Sequence, residues 1–386
     1  MLNSVKKRET FYIAGYDPRG ARHYYNLYKK EAALQSKVNG MTMDISSRKR
    51  TDKHMQSWHI KSETGEVKTE TNYHFLEWDD IIRKRWHITS FSIFADLYFY
   101  MKTYIFTGLI VKFGKLSPNQ MAPAFFPVLF LLLTLLFTYF TWSFVSSILS
   151  EYINPYMSMI VAGIPAYLFL RLMIWIGNQI AVFWLLRIYV FCAQYVFEDM
   201  HTLDKRIDIF AKYIYNSIKD SDQNGIDEIL ISSHSVGTIL VIPVMSKVLV
   251  MLGDNKDIIN KVSILTLGEC LALVSFLDEA KEFKSHMRNV SSNELLWLDY
   301  TAPIDGACFP LLDYYKHSGV EGKTPIYLSP RFHTLYDKKH YLKLKKDRYI
   351  THFLYLMATD IQGDYDYFKM TAGHKRLSIH HPQRNT

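Results

Sequence analysis

DEILISSHSVGT, residues 227–238, is the stretch from which the fold is read. The apolar run Ile229, Leu230 and Ile231 can lie buried on both faces, as central parallel strands do. It ends in the polar Ser232, Ser233 and His234, and a helix-compatible stretch carrying Ile239, Leu240, Val244 and Val248 follows at once. A strand that passes through so sharp a turn into a helix brings the positions two before and two after Ser235 almost into contact. Both must therefore be small, and Ser233 and Gly237 are.

Strand, tight turn and helix with a serine at the apex is the layout of the G-x-S-x-G nucleophile elbow, here with Ser233 in place of the first glycine. Working outward, residues 11–14 form a short apolar strand. They lead into the tight loop Gly15-Tyr16-Asp17-Pro18-Arg19-Gly20 and a helix over 21–34. Residues 38–73 are polar and alternate around Met41 to Ile45 and Trp58 to Ile60, which predicts a small antiparallel excursion. After the elbow helix come the apolar run 262–267, ended by Gly268, then ELLWLDY at 294–300 and a late strand at 325–328. Strands alternating with helices predict an α/β fold with a mainly parallel sheet covered on both faces.

Two long apolar stretches interrupt this pattern. Residues 122–149 contain no charged side chain, which exceeds the roughly 20 residues that span a bilayer. A second apolar stretch, 157–191, is broken by Arg171 and by Gly177-Asn178-Gln179. The link between them carries Glu151 and neither Lys nor Arg, while basic residues crowd the outer flanks. The positive-inside rule therefore predicts a two-helix hairpin with both termini in the cytoplasm. Ahead of it, Arg83, Lys84, Arg85 and Trp86, then Tyr98, Phe99, Tyr100, Lys102 and Tyr104, mix charge with aromatic rings as headgroup-level helices do. The expected organisation is 1–77 as the first part of the α/β domain, 78–121 as an interfacial segment, 122–192 as a transmembrane hairpin and 193–386 as the main α/β domain.

Among 386 residues the formal net charge is +8, but the basic residues are scattered and no nucleic-acid motif accompanies them, so a nucleic-acid partner is not expected. The N-terminal ten residues hold Lys6, Lys7 and Arg8 without the apolar core of a secretory signal. Cys192, Cys270 and Cys308 are odd in number and scattered, which predicts reduced, buried thiols.

A serine hydroxyl becomes a strong nucleophile when a neighbouring imidazole takes its proton, and a carboxylate must orient that imidazole. Behind an elbow of this kind the order is Ser, then Asp or Glu, then His. Asp305, in the loop TAPIDGACF after the strand ending at Tyr300, stands where the acid belongs; Asp299, inside that strand, is the rival. For the base, His352 in RYITHFLYLMAT, at the opening of what reads as the last apolar helix, competes with His333 in SPRFHTLY. The backbone N–H groups of Val236 and Tyr16 are the candidate oxyanion donors, although the Tyr16 loop reads equally well as an ordinary turn. His374, His380 and His381 lie in a polar tail without ligand spacing, and neither metal nor other cofactor is expected.

The elbow SHSVG, the loop GYDPRG, the region WLDYTAPID and the late HFLYL together resemble the α/β-hydrolase superfamily. The chain is similar in plan to uncharacterised bacterial membrane-anchored members of it. The resemblance covers 8–34 and 195–360 and implies Ser235 as nucleophile, Asp305 as acid, His352 as base and Val236 with Tyr16 as oxyanion donors. The expected function is hydrolysis of lipid or long-chain acyl esters, or thioesters, through an acyl-enzyme at a bacterial inner membrane. The other class consistent with the sequence is a hydrolase-like membrane scaffold that binds lipid or a protein partner and does no chemistry.

Overall fold

A computed structural model of the chain describes residues 4–86, 90–253 and 259–380. It divides into two compact units, Met1–His87 with Cys192–Thr386, and Ile88–Phe191.

The first unit is built on a nine-stranded sheet with the order β2-β4-β5-β1-β6-β7-β8-β9, β3 being paired with β4. β1 (Lys7–Ile13), β5 (Val67–Leu76), β6 (Glu228–His234), β7 (Val262–Leu267), β8 (Leu296–Tyr300) and β9 (Ile326–Leu328) run parallel. β2 (Thr42–Ile45), β3 (Lys49–Asp52) and β4 (Met55–Thr64) add antiparallel strands at one side. The predicted excursion is thus an extension of the main sheet. β5, which begins inside the stretch expected to form that antiparallel excursion, is instead the parallel neighbour of β1.

All seven residues of β6 are buried, which fits a strand with a neighbour on either side and helices above and below. One core gathers Tyr12, Tyr73, Leu230, Leu265, Leu298 and the inward face of α1 (Gly20–Asn39) with the C-terminal segments around Phe332, Tyr355 and Phe368. α9 (Gly237–Leu252) packs on β1 and β6, flanked by α8 (His201–Lys219) and α11 (Lys281–Ser291). β1 has β5, the next parallel strand in the chain, on one side and β6 on the other. The chain therefore reverses direction across the sheet between β1 and β6, where open parallel sheets hold ligands beyond their strand ends.

α2 (Asp79–Trp86), at the start of the expected interfacial segment, belongs to this unit. Trp78, Ile81 and Ile82 are buried, the Trp78 indole N–H donates to the Ala14 carbonyl at 2.9 Å, and Asp80 pairs with Arg206 on α8 at 2.8 Å. Apolar burial and ion pairing hold the basic run against the sheet unit.

The second unit is all helical: α3 (Ser90–Tyr100), a π-turn over Met101–Ile105, α4 (Leu109–Leu116), α5 (Met121–Leu149), α6 (Pro155–Gln179) and the first part of α7 (Val182–Phe197). Two helices, Pro118–Leu149 with its 3-10 lead-in and Pro155–Gln179, are long and apolar enough to cross a membrane. α5 and α6 pack on one another, and Asn154 caps α6 by accepting the Tyr156 N–H at 2.9 Å. Their outer faces, including Leu132, Leu136, Phe140, Ile160, Ile164 and Leu168, stay exposed. Tyr100, Tyr104 and Tyr189 cluster edge to face in the same unit, with the Tyr104 hydroxyl donating to the Tyr189 carbonyl at 3.1 Å.

Candidate active site

Ser235 follows the last residue of β6 and has φ 57°, in the left-handed region that an L-residue enters only at a cost. The surroundings over-determine that backbone. The Ser235 N–H donates to the Leu267 carbonyl at 2.9 Å, and the Thr238 hydroxyl and N–H both donate to the Ser235 carbonyl, at 2.7 and 2.9 Å. The small-residue rule read from the sequence holds at Gly237. A Cβ there would lie 2.4 Å from the Ile13 carbonyl oxygen and 2.6 Å from that of Ala14, and neither can retreat without moving β1. Ser233, the departure from glycine at the other small position, is fully buried.

Val236 is the N-cap of α9, so its N–H lies among those of the first turn that have no intrahelical acceptor, at the positive end of the helix dipole. Gly15 brings the loop after β1 onto Ser235: a Cβ on it would approach Ser235 Cβ to 2.8 Å and Oγ to 3.2 Å. Tyr16, next in the chain, is buried with its ring against Trp78 and Trp86. The same loop is tied down further on. Arg19 binds both oxygens of Asp17, at 2.8 and 2.9 Å through Nε, and stacks over the rings of Phe353 and Tyr349. Burial opposes ionisation of Asp17, but the hydrogen bonds and charge of Arg19 outweigh it and hold the carboxyl below the usual carboxylate range.

Asp305 meets a histidine, and that histidine is His352. Its Nδ1 lies 2.9 and 3.0 Å from the two carboxylate oxygens, both residues fully buried. A carboxylate can only accept, so Nδ1 carries the ring proton in the neutral imidazole and Nε2 the lone pair. Burial again opposes the charge on Asp305, yet His352 and the Ala307 N–H at 2.9 Å hold its carboxyl below the ordinary range. The acid is crowded from below. Gly268, with φ 55°, passes so near that a Cβ would come within 3.1 Å of Asp305 Oδ2.

The alternatives are placed elsewhere. Asp299 is buried inside β8 and accepts from Thr266 Oγ1 at 2.5 Å; burial pushes its carboxyl upward, as it does the neighbouring Glu269. His333 is exposed on α13 (Phe332–Leu335). His352 does not open a long apolar helix as its sequence suggested. It is the fifth residue of α15 (Arg348–Phe353), a six-residue helix capped by Asp347 and followed by the 3-10 turn Leu354–Leu356. The run from Ile350 through Met357 is apolar on too many sides to be one amphipathic helix, and the tighter turn lets Leu354, Tyr355 and Leu356 all be buried.

Two neighbours of the site gave no signal in the sequence. His234 donates from Nε2 to the His352 carbonyl at 2.7 Å and lies with its ring 4.5 Å from that of His352. Cys270 places its sulfur 3.8 Å from Ser235 Oγ, and burial pushes its thiol well up, away from thiolate reactivity. All three cysteines are buried thiols, as expected. His380 is half-buried in the tail and His381 lies outside the described residues. Among the described residues, exposed Asp199, His201 and Asp204 bring their ligand atoms within 4.8 Å, an arrangement to which the 2.9 Å contact of His201 with Asp199 contributes.

No protein-family model, no curated protein and no solved structure matches this chain.

Proposed function

We propose that the chain is a membrane-anchored serine hydrolase of the α/β-hydrolase kind, cleaving lipid or long-chain acyl esters, with Ser235 as nucleophile, His352 as base and Asp305 as its orienting acid. The observation that carries this reading is the buried, two-oxygen contact of Asp305 with His352 Nδ1, combined with the left-handed backbone that turns Ser235 out of β6. A packed histidine needs no buried carboxylate, and a surface turn needs no strained serine.

In this mechanism Ser235 Oγ attacks the acyl carbonyl carbon while its proton passes to His352 Nε2. The resulting oxyanion is stabilised by the N–H groups of Val236 and Tyr16. Collapse breaks the bond to the leaving alcohol or thiol, which takes the proton back from His352 and leaves an acyl-serine. Water, deprotonated by His352, then attacks that ester, and the acid leaves as Ser235 recovers its proton. Asp305 stays ionised throughout and stabilises the imidazolium.

The two apolar helices support an anchor, because their outer faces would otherwise meet water. With Glu151 in their connection and basic residues on the flanks, both termini face the cytoplasm in this reading. A catalytic unit tethered to the bilayer by its own chain can draw acyl esters from it, and each substrate methylene buried would add about 0.8 kcal/mol of binding.

The decisive experiment is labelling of detergent-solubilised protein with a fluorophosphonate. Wild type is expected to label on Ser235 and Ser235→Ala not at all. An unlabelled wild type that also hydrolyses no p-nitrophenyl ester from acetate to palmitate would overturn the enzyme reading in favour of a scaffold.

A further inference from the structure

Beyond the three residues of the proposed triad, the position before the nucleophile carries a histidine with a specific partner. His234 ends β6 and is fully buried, and its Nε2 lies 2.7 Å from the backbone carbonyl oxygen of His352, 118 residues later in the chain. A carbonyl only accepts, so Nε2 carries the proton. The His234 ring stands 4.5 Å from the His352 ring, with Phe353 at 5.3 Å and Tyr355 at 5.9 Å completing its enclosure. We propose that His234 is a positioning residue for the base: its N–H and its ring fix the backbone and imidazole of His352 relative to the elbow that carries Ser235.

The need for such a device follows from α15. The α-helical ladder ends at Phe353, where the 3-10 turn takes over, so the last carbonyls of this six-residue helix lose their regular i+4 donors and draw on others. His352 sits there, and the backbone next to Ser235 supplies a donor. The link runs directly from the residue before the nucleophile to the base, so a shift of either moves the other. Neutrality of the ring is required, because a charged neighbour would oppose formation of the His352 imidazolium. Burial, helped by the charge of His352 and opposed by its carbonyl, Asp305 and Asp17, holds His234 down to about 3. Among the described residues the Nδ1 atom of His234 is buried without a hydrogen-bond partner, and Nε2 engages the His352 carbonyl.

The inference rests on the proposed function, and two variants separate the donor from the ring. His234→Phe keeps an aromatic ring against His352 and removes the N–H; His234→Gln replaces the ring and can return an amide N–H to the same place. Two readouts are taken. The first is kcat and KM for an acyl ester. The second, independent of turnover, is the low-field proton resonance of His352 Nδ1–H in its bond to Asp305, observed with histidine-labelled protein in detergent.

The expected result is a fall in kcat of ~30-fold for His234→Phe with KM changed less than about threefold, and recovery in His234→Gln to within about fivefold of wild type. The low-field resonance should shift or broaden in the Phe variant and return in the Gln variant. A merely structural role would lower both variants' thermal stability and leave kcat and the resonance unchanged in the folded protein. That result, or equal impairment of both variants, overturns the proposal. Should the Phe variant not fold, His234→Asn, whose amide is too short to reach the carbonyl, takes its place. If wild type proves catalytically silent, the hydrolase reading fails by itself, and the resonance alone decides whether His234 positions His352.

Discussion

Both carboxylate oxygens of Asp305 lie within 3.0 Å of His352 Nδ1, so one N–H is shared across the whole carboxylate. The contact fixes the tautomer as well as the direction of the ring. Asp305→Asn would present an amide that can donate, allowing the ring to adopt the wrong tautomer with the fold intact. The expected loss in kcat is roughly 10⁴-fold. His352→Ala should be at least as damaging and His333→Ala, at an exposed position, should leave kcat/KM within twofold of wild type, or about 0.4 kcal/mol. Steady-state kinetics on the three variants checks this; a normal His352→Ala with an inactive His333→Ala would transfer the role of base.

Ser235 holds a conformation that glycine adopts freely. Replacement by glycine should therefore remove about 1 kcal/mol of strain that Ser235→Ala retains. Both variants are expected to lose hydrolysis and fluorophosphonate labelling. Thermal unfolding should place Ser235→Gly above Ser235→Ala by a few degrees, the sign of a serine held under strain for its position; equal stability would remove the strain argument.

What the sequence disclosed follows from how local each feature is. The elbow pattern was legible because it spans five residues, an apolar strand end, a serine and small residues two to either side; the nearest confinement of Gly237, by the Ile13 and Ala14 carbonyls rather than by Ser233, was not. Asp305 was legible through chain order and its place just after β8, and the apolar helices through composition alone. The parallel pairing of β5 with β1 was not, because an alternating strand carries no mark of its partner's direction. Nor was the link from His234 to His352, a hydrogen bond to backbone, for which no pair of side-chain types gives a signature. Gly15 and Gly268 read as turn formers; close approach to Ser235 and to Asp305 adds a reason that only three dimensions supply.

Gly15 and Gly237 are both closely packed beside the Ser235 turn but against different atoms, and should fail differently. At Gly237 an added methyl meets backbone at 2.4 Å, so Gly237→Ala is expected to cost about 3 kcal/mol of stability. At Gly15 the nearest atom is Ser235 Cβ at 2.8 Å, so Gly15→Ala should displace the nucleophile and cut kcat ~100-fold at a smaller stability cost. Denaturant unfolding alongside kinetics separates the two, and a Gly15→Ala enzyme with normal kcat would show that the loop yields without disturbing Ser235.

The proposed anchor predicts behaviour that composition of the sheet unit does not. Full-length protein should remain with membranes through an alkaline carbonate wash and leave them in detergent. Reporters fused after Thr386 and inserted beside Asn154 should report opposite sides of the membrane. Release by carbonate, or both reporters on one side, would refute the hairpin.

The last prediction concerns acid. His234 stays neutral in the folded chain down to about 3, because burial disfavours its charged form, whereas an unfolded histidine takes its proton near 6.5. Between those values the unfolded state binds the extra proton, so stability is full above about pH 6.5 and falls as pH drops toward 3, by about 1.4 kcal/mol per pH unit for this one group. His380, pushed down to about 3 by burial and by Arg8, Lys375 and Lys369, contributes in the same direction. Asp305 enters later: its depressed carboxyl keeps its contribution above the unfolded value near 3.9 and loses it only as pH falls through the lower folded value. Urea unfolding of wild type and His234→Gln side by side at pH 6.5, 5.5 and 4.5 isolates this histidine, because Asp299 and Glu269, whose raised carboxyls act in the opposite direction over the same range, are common to both proteins. His234→Gln should show a shallower decline than wild type, by one proton's worth of slope, while a slope equal to that of wild type would mean that His234 titrates alike in both states.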